Sequence, residues 1–218
     1  MTRMLFYLAL VIFVLPQVVS CNAPQSSTED NTDNTEQTTD DNTEDNAVAV
    51  PSTEPPSGDN FEIKELNGTI ASPRKEMSGT VGNATITVNY GSPAVKGRTI
   101  YGDLVPYGKV WRTGANEATQ ITFNSDVVVG EARVPVPAGT YALFTIPEDK
   151  TNWTFIINTG SDLWGAYDYE QEKDVARVAG NAQMAEPGAE RMDFSLGEDE
   201  VRLHWADLVV SFPVAAAK

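Results

Sequence analysis

Residues 139–147 read Gly-Thr-Tyr-Ala-Leu-Phe-Thr-Ile-Pro, and this stretch decides the fold class. From Tyr141 to Ile146 only Thr145 is polar, so the run is apolar on both faces of an extended chain. Such a run, bounded by glycine and proline, is typical of a central β-strand. Gly139 and Tyr141 also match the Gly-x-Tyr entry to a strand in Greek-key sandwiches, which predicts a bond from the Tyr141 phenol to nearby backbone.

Shorter β-type runs lie on both sides of this strand. Residues 85–90 and 120–123 alternate between apolar and polar side chains, and every second residue from Trp153 to Ile157 is apolar. Turn residues at 130–131 and 197–199 predict two hairpins. We therefore predict one all-β domain over residues 61–218, an antiparallel β-sandwich of Greek-key or jelly-roll type with few short helices.

The N-terminus reads as a lipoprotein signal. Arg3 precedes an apolar run from Leu5 to Leu15, which is too short to span a membrane, and Val-Val-Ser leads into Cys21. The tetrapeptide 18–21 resembles the bacterial lipobox, so residues 1–20 are predicted to be removed and Cys21 to be lipidated. The expected location is the bacterial cell envelope, with the membrane as a partner through the lipid. The alternative is an ordinary secretory signal with a chance cysteine.

Residues 21–60 form a second compositional zone. From residue 22 this zone holds ten aspartates and glutamates and no lysine or arginine, in a chain of net charge −16. We interpret it as a disordered acidic tether that holds the domain away from the membrane. A role in surface export or cation binding is the alternative. The acidic balance of the chain also argues against a nucleic-acid partner, which needs a basic face.

Scarce cysteine and histidine exclude much catalytic chemistry. The chain has one cysteine, Cys21, and one histidine, His204. With Cys21 lipidated, no cysteine remains for a disulfide or a thiolate site, a single histidine excludes a two-imidazole metal site, and no metal or cofactor is predicted. Alternation places His204 on the outer face of a strand. The acidic residues from Asp168 to Asp174 lack the glycine and glutamate of an EF-hand loop, which indicates a solvated loop.

Several long phrases carry a resemblance to a known family. They are Ser92–Arg98 (SPAVKGR), Leu104–Thr119 (LVPYGKVWRTGANEAT), Gly139–Pro147 (GTYALFTIP) and Trp164–Tyr167 (WGAY). Together they resemble the DUF2911 family, exported bacterial proteins of unknown activity that are typical of Bacteroidetes. The resemblance covers about residues 70–212. It implies a β-rich fold and supplies no reaction, cofactor or catalytic residue.

A polar pocket is the candidate functional site. The middle phrase combines an aromatic side chain with polar groups that bind sugars or carboxylates, and the neighbouring phrases add loop residues of the same kind. The predicted ligand-binding residues are Arg98, Tyr101, Trp111, Arg112, Asn116, Glu117, Trp164 and Tyr167. The alternative is structural, with Arg112 and Glu117 as an ion pair and Trp111 in the core.

Three functions remain open at this stage. The preferred one is a tethered, non-catalytic module that binds a small polar ligand or a glycan. The second is a carboxylate-dependent hydrolase of glycans, for which Glu117 is the first catalytic candidate because it lies beside Arg112 and Asn116. The third is a structural envelope protein without a ligand.

Overall fold

Ten β-strands build the part of the chain that the computed structural model describes, residues 54–218. The predicted signal, Cys21 and the tether up to residue 53 lie outside the described residues. Among the described residues the only helical element is a 3-10 turn at Gln171–Lys173, so the all-β prediction is confirmed. The strands are β1 Phe61–Asn67, β2 Arg74–Val81, β3 Ala84–Gly91, β4 Thr119–Phe123, β5 Val127–Val129, β6 Val134–Val136, β7 Gly139–Pro147, β8 Asn152–Asn158, β9 Asp174–Leu196 and β10 Glu200–Ala216.

All strand pairs are antiparallel and belong to one sheet. Its order is β1-β2-β3-β4-β7-β8-β9-β10-β5-β6. The apolar run that opened the sequence is β7, which lies between β4 and β8 and is buried from Tyr141 to Thr145. The β5–β6 hairpin attaches to the far side of β10, and β6 ends the sheet with Pro135. A proline is tolerated there because an edge strand has backbone groups without partners.

The long strand β9 joins two halves of this sheet. Near its start Val178 pairs with Phe155 of β8, and near its end Phe194 pairs with Leu203 of β10. The rings of Tyr90 in β3 and Phe194 lie 5.0 Å apart, although several strands separate them in the sheet order. Neighbouring strands are spaced by about 4.8 Å, so this contact requires the sheet to fold back on itself. The two halves therefore pack face to face, as in a sandwich.

Hydrogen bonds after β3 hold the folded sheet together. Val95 N donates to Glu190 O over 2.7 Å, and Met192 N donates to Pro93 O over 3.0 Å. Asn60, the last residue of the predicted tether, donates from Nδ2 to Gly197 O over 2.9 Å. The chain is therefore fixed to the sheet before β1 begins.

Aromatic side chains fill the space between the two halves. The rings of Trp111 and Trp205 are stacked with centroids 5.7 Å apart, and Tyr101 meets Trp153 edge to face at 5.2 Å. Apolar burial of this extent is the main stabilising contribution to such a fold. The predicted hydrogen bond from the Tyr141 phenol to nearby backbone is confirmed, because Tyr141 OH donates to Pro137 O over 2.9 Å.

A smaller apolar cluster lies on the opposite face of the sheet. Ala118, Ala142, Phe144 and Ile156 form its buried centre, and side chains of the segment 163–169 cover it. The Phe144 and Tyr169 rings meet edge to face at 5.1 Å. This cluster fixes the segment 160–170 against the outer face of β4, β7 and β8, and that placement creates the groove described next.

Candidate functional site

The structure distributes the eight predicted site residues among several environments. Trp111 lies in the core, where it is 9% exposed and stacked on Trp205. Its backbone exchanges hydrogen bonds with Thr145 of β7. This placement matches the structural alternative for Trp111 and leaves no surface for a ligand.

Arg98 and Tyr101 lie together in a cavity of about 350 Å³, which also includes Lys150 and Asp207. Tyr101 OH donates to Trp205 O over 3.2 Å, and Arg98 donates to the carbonyl oxygens of Ala94 and Val95. Their polar groups are therefore used within the fold. This cavity shares no lining residue with the groove that holds Asn116 and Glu117.

A larger groove on the outer face of the sheet brings together Asn116, Glu117 and Trp164. It has a volume of about 740 Å³. Ala118 and Gln120 contribute to its floor from the start of β4 and the residue before it. Leu66 and Asn67 at the end of β1, residues 70–72 after it and residues 161–164 after β8 also line the groove. Strands β1, β2 and β4 and the loops beside them therefore supply the groove lining together with the segment after β8.

Polar side chains in the groove are held by their neighbours. Arg74 Nη1 lies 3.5 Å from Glu117 Oε2, and Arg74 Nε donates to Asn89 Oδ1 over 2.7 Å. Asn116 Nδ2 donates to Ser72 O over 3.4 Å, and Gln120 Nε2 bonds Ser161 O. Partial burial lowers the pKa of Arg74, while the charge of Glu117 opposes this change. The structural alternative placed Glu117 in an ion pair with Arg112, whereas Glu117 pairs with Arg74.

Apolar side chains give the groove an unusual rim. Leu66, Ile70 and Trp164 all line it, and their exposed fractions are 52%, 45% and 62%. Tyr167, three residues after Trp164, is 86% exposed. Scattered exposed apolar residues are ordinary, but here three of them surround one concave polar surface.

Arg112 lies beside the groove and does not line it. Its Cδ would be 3.9 Å from a Cβ built on Gly165, so the turn 164–167 packs on the stem of the side chain. The Arg112 carbonyl accepts from Thr119 N over 3.1 Å. Partial burial lowers the pKa of Arg112, and the Tyr167 phenol acts in the opposite direction.

The single histidine does not form a nucleophilic site. Its Nε2 lies 2.6 Å from Ser195 Oγ across the β9–β10 pair. Ser195 is only 4% exposed, so its hydroxyl cannot approach a substrate in this conformation. Burial, followed by the charge of Arg202, lowers the pKa of His204 to about 4. The predicted outward position of His204 is correct, but the side chain is half-buried rather than exposed.

Residues 54–218 contain neither a cluster of metal-ligating side chains nor a membrane-spanning helix. No group of three or more His, Cys, Asp or Glu side chains in this range could hold a metal ion. In the same range, no helix has the length and apolar character needed to cross a bilayer.

Sequence reasoning missed Arg74 and the apolar rim residues Leu66 and Ile70. The sequence does indicate strand β1, because Phe61 and Ile63 alternate with Glu62 and Lys64. The exposed Leu66 and Ile70 then flank a turn at the end of that strand. Their position opposite Trp164 depends on non-local pairing, which the residue pattern alone does not specify.

Fold and groove together define an antiparallel all-β protein with a solvent-open polar groove and an apolar rim. Comparison with protein families gives one match, over residues 72–214, to a family described as "Protein of unknown function (DUF2911)". The chain belongs to this DUF2911 family. No curated protein and no solved structure matches the chain.

Proposed function

We propose that this protein is a lipid-anchored envelope protein whose β domain binds a saccharide or another small polar ligand in the groove. The observation that carries the proposal is the combination of an exposed indole, Trp164, with fixed polar groups in one concave surface. Binding sites of this kind place a few oriented polar groups around an apolar surface.

The groove groups suit a saccharide in particular. An indole offers a flat apolar face to the C–H side of a sugar ring. Asn116 and Gln120 offer both donors and acceptors, while Arg74 and Glu117 offer charged ones, and hydroxyl groups bond to all of these. Several of these side chains are already held by protein partners, so little conformational entropy is lost when a ligand binds.

Calorimetric titration of the full-length protein tests this proposal. The protein is purified in a detergent without a sugar headgroup and titrated with neutral and acidic oligosaccharides. We expect Trp164→Ala to weaken binding at least about tenfold, since an aromatic contact with its buried area contributes more than about 1.4 kcal/mol. Met184→Ala is the matched control, because Met184 is 61% exposed and lies outside the groove. Equal affinity of both variants for every ligand that binds would contradict the proposal.

The anchor needs a separate test, because Cys21 lies outside the described residues. We expect Cys21→Ser to move the protein from the membrane fraction to the soluble fraction. Multiple acyl chains give stable anchoring, since each buried methylene contributes about 0.8 kcal/mol. Unchanged membrane partition of the variant would refute lipidation and leave the groove proposal intact.

A hydrolase is the second candidate, because Glu117 and Asp162 both line the groove. Glycosidases generally use two carboxylic acids that flank the scissile bond. Release of reducing ends from a bound oligosaccharide, abolished by Glu117→Gln with an unchanged melting temperature, would favour this function over simple binding.

A further inference from the structure

Two carboxylates and only one cationic side chain line the groove. Glu117 and Asp162 supply the carboxylates, and Arg74 supplies the cation. Arg74 pairs with Glu117, whereas Asp162 forms no ion pair with any residue in the range 54–218. Asp162 is also exposed. The groove therefore has an uncompensated negative charge that is open to a ligand.

Asp162 and the exposed indole of Trp164 lie on either side of Leu163, whose position is fixed. The Leu163 side chain packs against the smaller apolar cluster on the outer face of the sheet. Its carbonyl accepts from Ala118 N over 2.9 Å. Because Leu163 is directed towards the sheet, its two neighbours are left at the surface, and both of them line the groove.

Hydrogen bonds just before Asp162 hold the same segment. Gly160 N donates to Asn158 Oδ1 over 2.8 Å, and Gln120 Nε2 bonds Ser161 O. Groups on a backbone that is already fixed lose less conformational entropy when they bind a ligand. One anchored segment thus presents the carboxylate and the indole together.

A carboxylate close to an exposed indole is a combination that binds an ammonium group. The carboxylate accepts charge-assisted hydrogen bonds from N–H groups, and the negative face of an aromatic ring attracts a cation within about 6 Å. The net charge of −16 also attracts cations and repels anions at long range. A sugar hydroxyl in the same position gains a hydrogen bond to the carboxylate but neither of the two attractions for a cation.

We infer that the ligand of the groove is a saccharide with a free amine, whose ammonium group binds the Asp162 carboxylate beside the Trp164 indole. This inference rests on the proposed function and names the class of saccharide. Glu117 keeps Arg74 as its partner, and the amides in the groove lining are available to the hydroxyl groups of the same sugar. One positive charge on the ligand offsets the charge of Asp162 and makes the occupied groove electrically neutral.

Isosteric saccharide pairs test the inference on the full-length protein in a detergent without a sugar headgroup. The probes are oligomers of glucosamine and galactosamine. Each is compared with the glucose or galactose oligomer of the same length and linkage, in which a hydroxyl group replaces the amine. Calorimetric titration at pH 6 keeps most of the amines protonated. We expect the wild-type protein to bind at least one amino saccharide about tenfold more tightly than its neutral counterpart, which corresponds to about 1.4 kcal/mol. Asp162→Asn should remove this difference and retain the weaker binding of the neutral oligomer.

Asp103→Asn is the control for loss of one negative charge. Asp103 is exposed and lies in the loop between β3 and β4, outside the groove. It forms no ion pair with another residue of the described range. An unchanged preference for the amino saccharide is expected with this variant. Thermal unfolding of each variant shows that the fold is retained before binding is compared.

The outcomes separate the inference from the proposed function. Equal binding of the amino and the neutral saccharide by the wild-type protein, or a preference that persists in Asp162→Asn, overturns the inference and leaves saccharide binding in place. A lysine oligomer of the same charge that binds as tightly as the amino saccharide also overturns it, because the groove would then select charge alone. Absence of binding to every amino saccharide overturns the inference, while the neutral and acidic oligosaccharides of the earlier titration decide the proposed function independently.

Discussion

Lys75→Met should destabilise the protein strongly, because it leaves a carboxylate buried without a counter-charge. Lys75 Nζ lies 2.7 Å from Asp193 Oδ1, and the two side chains are only 9% and 4% exposed. Tyr90 OH donates to the same oxygen over 2.9 Å. This cluster connects β2 and β3 of one half of the sheet to the end of β9 in the other half.

The size of the effect follows from this geometry. Two unit charges at the 2.7 Å separation attract by about 6 kcal/mol at an effective dielectric constant of ~20. Desolvation offsets part of this attraction, and loss of one partner from a buried pair generally costs about 3–5 kcal/mol. For a domain of this size such a loss lowers the melting temperature by about 6–20 °C.

The pH dependence gives a second signature of the same variant. Burial raises the pKa of Asp193 above its usual value even with Lys75 present. Because its folded-state pKa lies above its unfolded-state value, the Asp193 carboxyl contributes most to stability in acid. This contribution is lost as the pH rises through the folded-state pKa. Loss of Lys75 removes an interaction that opposes the shift. The penalty of Lys75→Met should therefore be largest at neutral pH and should decrease toward pH 4.

Urea unfolding at pH 7 and pH 4.5 measures these effects, with the double variant Lys75→Met, Asp193→Asn as the matched control. Asparagine removes the buried charge and retains an acceptor for Tyr90 OH. We expect the double variant to recover most of the lost stability. A loss below about 1 kcal/mol in the single variant, or a double variant that is equally unstable, would refute the argument.

Three further outcomes are expected. The pKa of His204 is lowered to about 4, so its contribution to stability is present above the unfolded-state pKa of about 6.5 and is lost as the pH falls toward 4. His204→Gln should therefore flatten the curve of unfolding free energy against pH in this window. Urea unfolding at several pH values measures this, and parallel curves for the wild-type protein and the variant would contradict it. Tyr141→Phe removes the hydrogen bond to Pro137 O and should lower the free energy of unfolding by about 1 kcal/mol, measured by chemical unfolding. An unchanged free energy of unfolding would show that this hydrogen bond does not stabilise the fold. Gly130→Ala combines a φ of +72° with a Cβ 2.6 Å from Val178 Cγ1, so it should lower stability by about 1–3 kcal/mol in thermal unfolding, and a neutral effect would show that the β5–β6 turn adapts.

Local patterns predicted the strands that bury one face in clear alternation or bury both faces fully. The alternation at residues 85–90 corresponds to β3, and the apolar run 141–146 corresponds to the centre of β7. The first segment shows the alternation of a half-buried strand, and the second shows the continuous apolar run of a central strand. The all-β class therefore followed from the sequence alone.

Other strands depend on partners and gave a weak local signal. Residues 174–191 contain many small and polar side chains, and most are half-buried or exposed, yet they form the first part of β9 through pairing with β8 and β10. Asp174 was expected in a solvated loop and instead begins this strand. Backbone pairing with a neighbouring strand makes such segments extended, because their side chains bury little apolar surface.

The candidate site was predicted only in part for the same reason. The phrase around residue 111 contains side chains that suit a pocket, but Trp111 points into the core because its backbone bridges to Thr145 of β7. Arg112 consequently points to the opposite face, beside the groove. The partner of Glu117 is Arg74, which lies 43 residues earlier in the chain and was not considered.

Strands β9 and β10 follow the eight other strands in the chain, so they are synthesised after them. Tyr90 and Lys75 meet Asp193, and β5 pairs with Val214 to Ala216 of β10. None of these contacts can form until β9 and β10 have left the ribosome. The earlier strands therefore remain without half of their core while the chain is still emerging, and a protein cut short before β9 would expose the inner face of β2 and β3 to proteases.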